Sequence, residues 1–556
     1  MRSEQSRLRI HIAQLNPVVG DIDGNVERAQ IAFDQAVADH ADLVVFSELF
    51  ICGYPPEDLV LRPALQDACH KGLQTLAHYT LGKTTAMLIG APIVQNTHLY
   101  NGVALLENGI IAHTRFKSDL PNYGVFDEKR VFTAAPFQEP IVFKGLRIGV
   151  PICEDIWKPD IVGHLAQQNI DMLIVINGSP YWRGKHVERT QHILQRAQQV
   201  DVPLIYVNQV GAQDELVFDG ASCVVHPDGH VMVQMPAFRS DQTAIDFETT
   251  RSKWRCITHH HAPMLDDDAA DYTACVLGLR DYVRKNNFKD VVLGLSGGID
   301  SALCAAIAVD ALGSEHVQTL MLPYRYTAQE SKEDAQQCAK ALGIAYSVVP
   351  IETAVKGLET SITSFLGSSP SGLTAENLQS RARGTILMSV SNTTGAMVVT
   401  TGNKSEMAVG YATLYGDMNG GFNPIKDLYK MQVYALSALR NRWKPFDALG
   451  ADGVVIPERI LTKAPTAELR ENQTDQDSLP PYPVLDGILQ GLVEHEKNIQ
   501  TLIDEGFDQA TVARIARLLK IAEYKRRQSA IGVKISSKSF DRDRRYPITN
   551  GFKERV

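Results

Sequence analysis

Two groups of residues in this chain could carry out chemistry, and they fit different reaction types. Cys153 follows the apolar run IGVPI and precedes two carboxylates in the sequence CEDIW. Glu48 in VVFSELF and Lys117 in AHTRFKSDL also stand at the ends of apolar runs. Further along, the apolar run VVLGL at 291–295 leads into the glycine-rich sequence SGGIDS. The first group predicts a nucleophilic site, and the second predicts a phosphate-binding loop.

The first group contains what the cleavage of a carboxamide through a thioester requires. Such a reaction needs a thiolate, a base that forms it and a cation that stabilises the oxyanion. Cys153, Glu48 and Lys117 fit these roles in that order. Strand ends are where sheet proteins assemble sites from distant parts of the chain, although no local rule shows that these three side chains meet.

The second group has the order of elements found in an anion site. Val291–Leu295 is predicted to be a central strand and Ser296–Gly298 a turn, with a helix that begins near Asp300 and Ser301. Glycines let the backbone approach a ligand closely, and the positive end of a helix favours an anion. The two serine hydroxyls can donate to phosphate oxygens, and Asp300 is placed to hold Mg²⁺. The loop lacks the GK[ST] ending of a P-loop NTPase, which argues against a γ-phosphate motor or switch.

These groups need sheets to position them, and the sequence predicts two α/β blocks. From Leu8 to about Phe247, short apolar runs alternate with helical patterns, which indicates a large sheet or two packed sheets. From Tyr272 onwards, strands and helices alternate as in a doubly wound parallel sheet. The polar segment THHHAPMLDDDAAD between the blocks has no apolar period. The predicted parts are a first domain at 1–257, a linker at 258–271 and a second domain at 272–556.

Composition favours a globular protein over one that coats nucleic acid or spans a membrane. At 556 residues the chain is too long for a single core, and its net charge of −9 argues against a nucleic-acid coat. No stretch reaches the roughly 18 apolar residues that a membrane helix needs. The eight cysteines are scattered without CxxC spacing. We therefore expect neither a disulfide framework nor a zinc site, and we expect the protein to lie in the reducing cytoplasm.

The cysteine group resembles the nitrilase superfamily in the order and context of its residues. The sequences CEDIW and KSDLPNYGVFDEKR resemble those of its glutamine-hydrolysing members in particular. The resemblance covers roughly residues 8–250 and implies a four-layer αββα sandwich that releases ammonia from L-glutamine. It also implies four residues that hold glutamine or order the lysine, which are Tyr123, Glu128, Ser179 and Lys185.

The glycine-rich loop resembles that of the ATP pyrophosphatase family, whose members split ATP into AMP and pyrophosphate. Residues 272–556 resemble the NAD⁺ synthetases, and with the first block the chain is similar to the glutamine-dependent members of that group. The resemblance implies a Rossmann-like second domain that amidates deamido-NAD⁺ through an acyl-adenylate. It further implies ATP as a co-substrate, Mg²⁺ as the metal and a homo-oligomer that works on small molecules.

Site residues in the second block follow from the same resemblance. Arg381, Arg383 and Lys430 add cations that suit a multiply phosphorylated small molecule, while 471–483 is predicted to be an exposed loop. The residues implied for ATP are Gly294, Leu295, Ser296, Gly297, Gly298, Ile299, Asp300, Ser301 and Thr401. Those implied for deamido-NAD⁺ are Asn377, Glu406 and Lys525, and those for Mg²⁺ are Asp300 and Glu406.

Two other functions remain open at this point. One is a glutamine-fed ATP pyrophosphatase that amidates a different acid, which would turn over that acid and leave the nicotinate dinucleotide untouched. The other is a nucleotide-sensing module that binds ATP without turnover, which would release no pyrophosphate.

Overall fold

The computed structural model describes residues 7–250, 253–552 and 554. These residues form two compact units, and the boundary between the units lies between Leu265 and Asp266. Each unit has its own sheets and its own core.

The first sheet of the first unit is built around the strand Arg7–Gln14. This strand pairs antiparallel with Asp241–Thr250 on one side and parallel with Leu43–Val45 on the other, so the two ends of the unit meet in one sheet. The sheet has seven strands in the order Lys253–Cys256, Asp241–Thr250, Arg7–Gln14, Leu43–Val45, Ala86–Gln95, His98–Glu107 and Ile110–Phe116.

The second sheet of this unit packs face to face on the first. Ile10 and Val45 of the first sheet share a buried apolar cluster with Ile174 and Val224 of the second. Its seven strands lie in the order His260–His261, Val231–Gln234, Cys223–Val225, Leu204–Asn208, Met172–Asn177, Leu146–Gly149 and Ile141–Phe143. A separate hairpin pairs Val210–Gln213 with Leu216–Asp219.

Helices cover the outer faces of both sheets. Phe33 of one helix and Leu73 of another pack on the first sheet, and Ile193 packs on the second. Met172–Asn177 is buried at every position because a sheet covers one of its faces and helices cover the other. The α-helices are Ile22–Ala38, Pro63–Tyr79, Pro159–Gln167 and Lys185–Val200, and the short 3₁₀ turns are Glu57–Leu61, Glu128–Arg130 and Cys153–Ile156. The first unit is therefore the expected αββα sandwich.

The second unit has a parallel sheet with helices around it, as the strand–helix alternation predicts. Its four strands lie in the order Ala345–Val348, Val317–Met321, Val291–Gly294 and Met397–Val398. The helix Ile299–Leu312 follows the central strand and is almost entirely buried, because the helices Asp267–Lys285 and Lys430–Arg440 pack against it. Its small alanine side chains suit this crowded position.

The remaining helices of the second unit surround this framework. The α-helices are Gln329–Leu342, Glu352–Leu366, Leu373–Thr394, Lys404–Val409, Glu458–Thr462, Tyr482–Val493, Ile499–Asp504, Gln509–Ile521 and Glu523–Arg526, with 3₁₀ turns at Ser314–His316 and Asp475–Asp477. The short strand Ile531–Gly532 pairs parallel with Phe422–Asn423. Just beyond it, Asp427 accepts hydrogen bonds from the Ile535 and Ser536 amides at 2.8 and 2.7 Å. Residues near the C-terminus are thus part of the second unit's folded structure.

Two predicted segments differ from the structure. The helix Asp267–Lys285 begins inside the segment predicted as a linker, because Asp266 caps it by accepting from the Ala269 amide at 2.9 Å. The prediction of an exposed loop at 471–483 is wrong in part, since Asp475, Leu479 and Tyr482 are buried. The Asp475 carboxylate accepts from the Tyr482 hydroxyl at 2.8 Å, which draws this polar segment inwards. Among the described residues, no helix is long and apolar enough to cross a membrane.

Candidate functional site

Strand ends in the first unit bring the predicted acid and lysine into direct contact. Glu48 follows the strand Leu43–Val45, and Lys117 follows Ile110–Phe116. Lys117 Nζ donates to Glu48 Oε1 at 2.7 Å, and both side chains are fully buried. Two residues separated by 69 positions in sequence thus form one ion pair inside the unit.

The predicted nucleophile lies beside this pair in a constrained turn. Cys153 begins a 3₁₀ turn after the strand Leu146–Gly149 and has a φ of 47°, in the left-handed region that costs a non-glycine residue free energy. Asp155 holds the turn by accepting from the Ile152 amide at 3.0 Å and from the Asp119 amide at 2.7 Å. Since Asp119 lies two residues after Lys117, one carboxylate fixes the segments of both the nucleophile and the lysine.

Electrostatics in this site set the resting state of each group. Burial and the Glu48 carboxylate raise the pKa of the Cys153 thiol well above its ordinary value. Burial would lower the pKa of Lys117, but the carboxylates of Glu128 and Glu48 outweigh it and raise that pKa well above the ordinary value. The thiol is therefore neutral at rest and needs a base during attack, while the lysine stays charged.

Glu128, which the resemblance implies as a residue that orders the lysine or holds the substrate amine, contacts Lys117 directly. Its Oε1 accepts from Lys117 Nζ at 2.8 Å and from the Tyr54 hydroxyl at 2.8 Å. The Asn101 side-chain amide donates to Glu48 Oε1 at 2.7 Å and to Glu128 Oε2 at 3.3 Å. The Gly178 amide completes the set by donating to Glu48 Oε2 at 2.8 Å.

Three further predicted residues surround this centre. The Tyr123 hydroxyl donates to both carboxylate oxygens of Glu154, at 3.1 and 3.0 Å, and Glu154 directly follows the nucleophile. Lys185 Nζ lies 3.8 Å from the centroid of the Trp157 ring, and burial lowers its pKa. Ser179 is buried and follows the strand Met172–Asn177. The site can therefore offer an acidic group, Glu154, and a basic group, Lys185, near the thiol to an amino acid.

In the second unit, the glycine-rich loop has the geometry of an anion site. Ser301 Oγ donates to the Gly298 carbonyl at 2.9 Å and accepts from the Ser296 amide at 3.2 Å, which fixes the turn before the helix Ile299–Leu312. Gly297 has a φ of 81°, and a Cβ there would lie 2.2 Å from the Ser331 carbonyl oxygen. Only glycine fits this position, where the loop passes directly against the next helix.

This loop forms one wall of a cavity of about 530 Å³. Such a volume lies within the range of small-molecule sites, roughly 300–1,000 Å³. Every residue predicted for ATP or for deamido-NAD⁺ lines it, and these are Gly294, Leu295, Ser296, Gly297, Gly298, Ile299, Asp300, Ser301, Thr401, Asn377, Glu406 and Lys525.

The two predicted metal ligands converge on a lysine within this cavity. Lys430 Nζ lies 2.5 Å from Asp300 Oδ2 and 3.1 Å from Glu406 Oε1. Asn403 Nδ2 donates to the other Asp300 oxygen at 2.8 Å. Burial would lower the pKa of Lys430, but Asp300 and Glu406 outweigh it and raise that pKa. The two carboxylates are therefore close enough to share one cation.

The other predicted dinucleotide residues are already engaged with neighbouring groups. Asn377 Oδ1 accepts from the Thr413 hydroxyl at 2.9 Å. Lys525 Nζ donates to the Gly410 and Ala412 carbonyls at 2.8 and 2.7 Å. This ammonium therefore stabilises the segment 410–412, which forms part of the cavity wall. Arg383 also lines the cavity, and burial lowers its pKa to about 10.

Sequence reasoning missed several residues of these sites. Glu154 stands next to Cys153, and its place in CEDIW is the one local signal that could have found it. Tyr54, Asn101 and Asn403 have no such signal, because each reaches its carboxylate only through long-range packing.

Family comparisons agree with this division into two sites. Residues 9–254 match the family model for carbon-nitrogen hydrolases, and residues 272–529 match that for NAD synthase. A glutamine-dependent NAD(+) synthetase of Rhodobacter capsulatus is 47% identical over 550 residues, which cover 99% of each chain. One from Acinetobacter baylyi is 44% identical over 98% of this chain and 99% of that protein.

Solved structures extend the comparison to three dimensions. The glutamine-dependent NAD⁺ synthetase of Acinetobacter baumannii, solved in complex with ADP, has a TM-score of 0.78 and 41% identity over 99% of this chain and 100% of that one. A glutamine-dependent NAD(+) synthetase from Cytophaga hutchinsonii has a TM-score of 0.82 at 23% identity, with 98% of each chain covered. At 23% identity, the similarity to the Cytophaga hutchinsonii structure shows only that the fold is shared.

Proposed function

The chain belongs to the glutamine-dependent NAD(+) synthetase family, and we propose that its two sites divide the reaction between the release of ammonia and its use. As a member, it is a ligase that amidates deamido-NAD⁺ to NAD⁺ with glutamine as the nitrogen donor and ATP as a substrate. The assignment of individual residues to steps is our proposal. It follows from the contacts within each unit.

The first step is thioester formation at Cys153. Glu48 takes the thiol proton as Sγ attacks the side-chain carboxamide of glutamine, and the Lys117 ammonium stabilises the oxyanion that forms. Glu48 then gives that proton to the amide nitrogen, the C–N bond breaks, ammonia leaves, and Cys153 carries a glutamyl thioester. Water hydrolyses this thioester to glutamate and restores the thiol. Glu128 accepts from Lys117 throughout and holds its ammonium in place.

Glutamine recognition uses charged and polar groups near the thiol. The carboxylate of Glu154, held by the Tyr123 hydroxyl, suits the α-ammonium of the substrate. The Lys185 ammonium, held against the Trp157 ring, suits the α-carboxylate. Ser179, buried at the end of its strand, can hold the substrate by a hydrogen bond.

The second unit activates the poorer partner of the reaction, a nicotinate carboxylate. This carboxylate attacks the α-phosphorus of ATP, pyrophosphate leaves, and ammonia then displaces AMP from the acyl-adenylate. Residues 294–301 bind the phosphates, and Thr401 on the next strand end contacts the nucleotide. Lys430 offsets charge on the phosphates. Asn377, Glu406 and Lys525 line the part of the cavity that we assign to deamido-NAD⁺.

Mg²⁺ fits the pair of carboxylates at Asp300 and Glu406. Both already share a cation, the Lys430 ammonium. No group of three or more metal-ligating side chains converges within the described residues, so phosphate oxygens and water would complete the shell, as Mg²⁺ prefers. When bound, Mg²⁺ would neutralise charge on the departing pyrophosphate.

The observation that supports this proposal is that the two sites lie in one chain. The first site has a buried lysine shared by two carboxylates beside a cysteine. The second has a phosphate-binding loop that lines a cavity large enough for a ligand. Mass balance tests it, by measuring AMP, pyrophosphate, glutamate and NAD⁺ formed per ATP consumed. We expect equal amounts of AMP, pyrophosphate and NAD⁺, with at least as much glutamate. Turnover of another acid, or ATP binding without pyrophosphate release, would support one of the two alternative functions instead.

We also propose a homo-oligomer in the cytoplasm. Phe365, near the end of the helix Glu352–Leu366, and Leu373, at the start of the next helix, are 88% and 73% exposed, which favours an interface there. All eight cysteines are buried free thiols, which suits a reducing compartment. Light scattering on the purified protein tests the oligomer, and fractionation of cells tests the compartment.

A further inference from the structure

The side-chain amide of Asn101 lies between the two carboxylates of the first site and has no role in the proposed steps. Both of its donor contacts are to carboxylates, Glu48 Oε1 at 2.7 Å and Glu128 Oε2 at 3.3 Å. Its main-chain oxygen accepts from the Lys117 amide at 2.9 Å. Asn101 is fully buried, and its Oδ1 has no hydrogen-bond partner in the described part of the chain. Both hydrogen bonds that this side-chain amide donates therefore go to the two carboxylates.

Charge balance around these acids explains why such a donor matters. Lys117 brings one positive charge to two carboxylates, which both accept from its Nζ. Two carboxylates in one buried site tend to share a proton, and burial together with the neighbouring Glu48 raises the pKa of Glu128. Within the described ranges, the other ionisable groups that interact with Glu48 are the Cys52 and Cys153 thiols and the Tyr54 phenol. None of these adds a positive charge.

We propose that Asn101 is a positioning residue that keeps Glu48 ionised, and so able to accept the Cys153 proton, at pH values where the paired acids would otherwise hold a proton. The inference rests on the proposed role of Glu48 as the base. An amide that donates to an ionised carboxylate favours the ionised form. Asn101 gives the shorter of its two bonds, at 2.7 Å, to Glu48 and the longer, at 3.3 Å, to Glu128, so the amide favours a shared proton on Glu128.

The test is the pH profile of kcat/KM for glutamine hydrolysis in Asn101→Leu. The substitution removes both donors and keeps a side chain of similar length. We expect the acid limb of the profile to move up by roughly one to two pH units, because an amide bond to a charged group has about that effect on a pKa. Below the limb the rate should fall roughly tenfold to a hundredfold, and at high pH it should recover to within a few-fold.

Asn25→Leu is the matched control. Asn25 is also fully buried, and its side-chain amide donates to the Val18 and Ile51 carbonyls at 2.8 and 3.1 Å, but it contacts neither acid. Its acid limb should stay at the pH of the unaltered protein. If Asn101→Leu does not fold, Asn101→Asp has the same volume and should move the limb in the same direction.

The outcomes separate this inference from the proposed function. An unaltered protein that hydrolyses no glutamine would overturn the proposed function itself. Hydrolysis by the unaltered protein, with the acid limb unmoved in the folded Asn101 variants, would overturn the inference alone. An equal loss at every pH would also overturn it, because a merely structural role predicts that result. Ammonium-dependent NAD⁺ synthesis, measured in each variant, should remain at the unaltered rate.

Discussion

Replacing Lys117 by methionine should damage both the stability and the chemistry of the first unit. The side chain is fully buried and donates to Glu48 and Glu128 at 2.7 and 2.8 Å. Removing it leaves two buried carboxylates without their cation, and breaking a buried ion pair in this way costs about 3–5 kcal/mol. For a unit of this size, that corresponds to a fall of roughly 6–20 °C in the unfolding temperature. Loss of the oxyanion partner should lower glutamine hydrolysis by about a hundredfold or more.

Calorimetry and a glutamate-release assay measure the two effects. Lys158→Met is the control, because Lys158 also pairs with a carboxylate, Asp119 at 2.7 Å, but its side chain is 64% exposed. It should unfold at the temperature of the unaltered protein. Adding Glu128→Gln to Lys117→Met removes one of the two buried carboxylates that have lost their cation. The double variant should therefore regain part of the lost stability. A Lys117→Met protein that unfolds no earlier than Lys158→Met, or that hydrolyses glutamine at the unaltered rate, would contradict these expectations.

Three more outcomes follow from the two sites and from the core. Cys153→Ala should lose glutamine hydrolysis and glutamine-dependent NAD⁺ synthesis together, whereas high ammonium should restore synthesis; retained use of glutamine would mean that another group is the nucleophile. Asp300→Ala should lower NAD⁺ formation from ammonium by several orders of magnitude in a folded protein, and near-normal turnover would remove Asp300 from the mechanism. Burial lowers the pKa of His11. Below about pH 6.5 the unfolded chain therefore takes up a proton at this residue more readily than the folded protein does. The free energy of unfolding should fall as the pH drops below that value. Urea unfolding at pH 7.5 and 5.5 should show a smaller loss for His11→Gln than for the unaltered protein, and equal losses would contradict this.

Apolar runs made the framework predictable. Continuous apolar segments such as Met172–Asn177 predict buried strands, and reactive residues at their ends predict where a site forms. The order of Glu48, Lys117 and Cys153 identified the family, and the structure places Glu48 and Lys117 in one ion pair with the thiol beside them. The phosphate-binding turn could be predicted because the strand, the glycine-rich loop and the start of the helix follow one another directly in sequence.

Residues that act through long-range contacts could not be predicted. Asn101 and Tyr54 carry no local pattern, because each reaches Glu128 across a separation of 27 and 74 positions in sequence respectively. The polar segment 471–483 was misread for a related reason. Its composition is typical of an exposed loop, yet Asp475 accepts from the Tyr411 and Tyr482 hydroxyls and is buried.

The pairing of Arg7–Gln14 with Asp241–Thr250 has a consequence for biosynthesis. Arg7–Gln14, the first strand of the described residues, cannot complete its pairing until a partner more than 200 residues later in the chain has been synthesised. At about 5–20 residues per second, that delay is roughly 12–50 s. During this interval Arg7–Gln14, whose Ile10 and Ile12 belong to the buried core, exposes an unpaired edge of the kind that can pair with another chain. The second unit repeats the arrangement on a shorter scale, since Phe422–Asn423 waits for Ile531–Gly532.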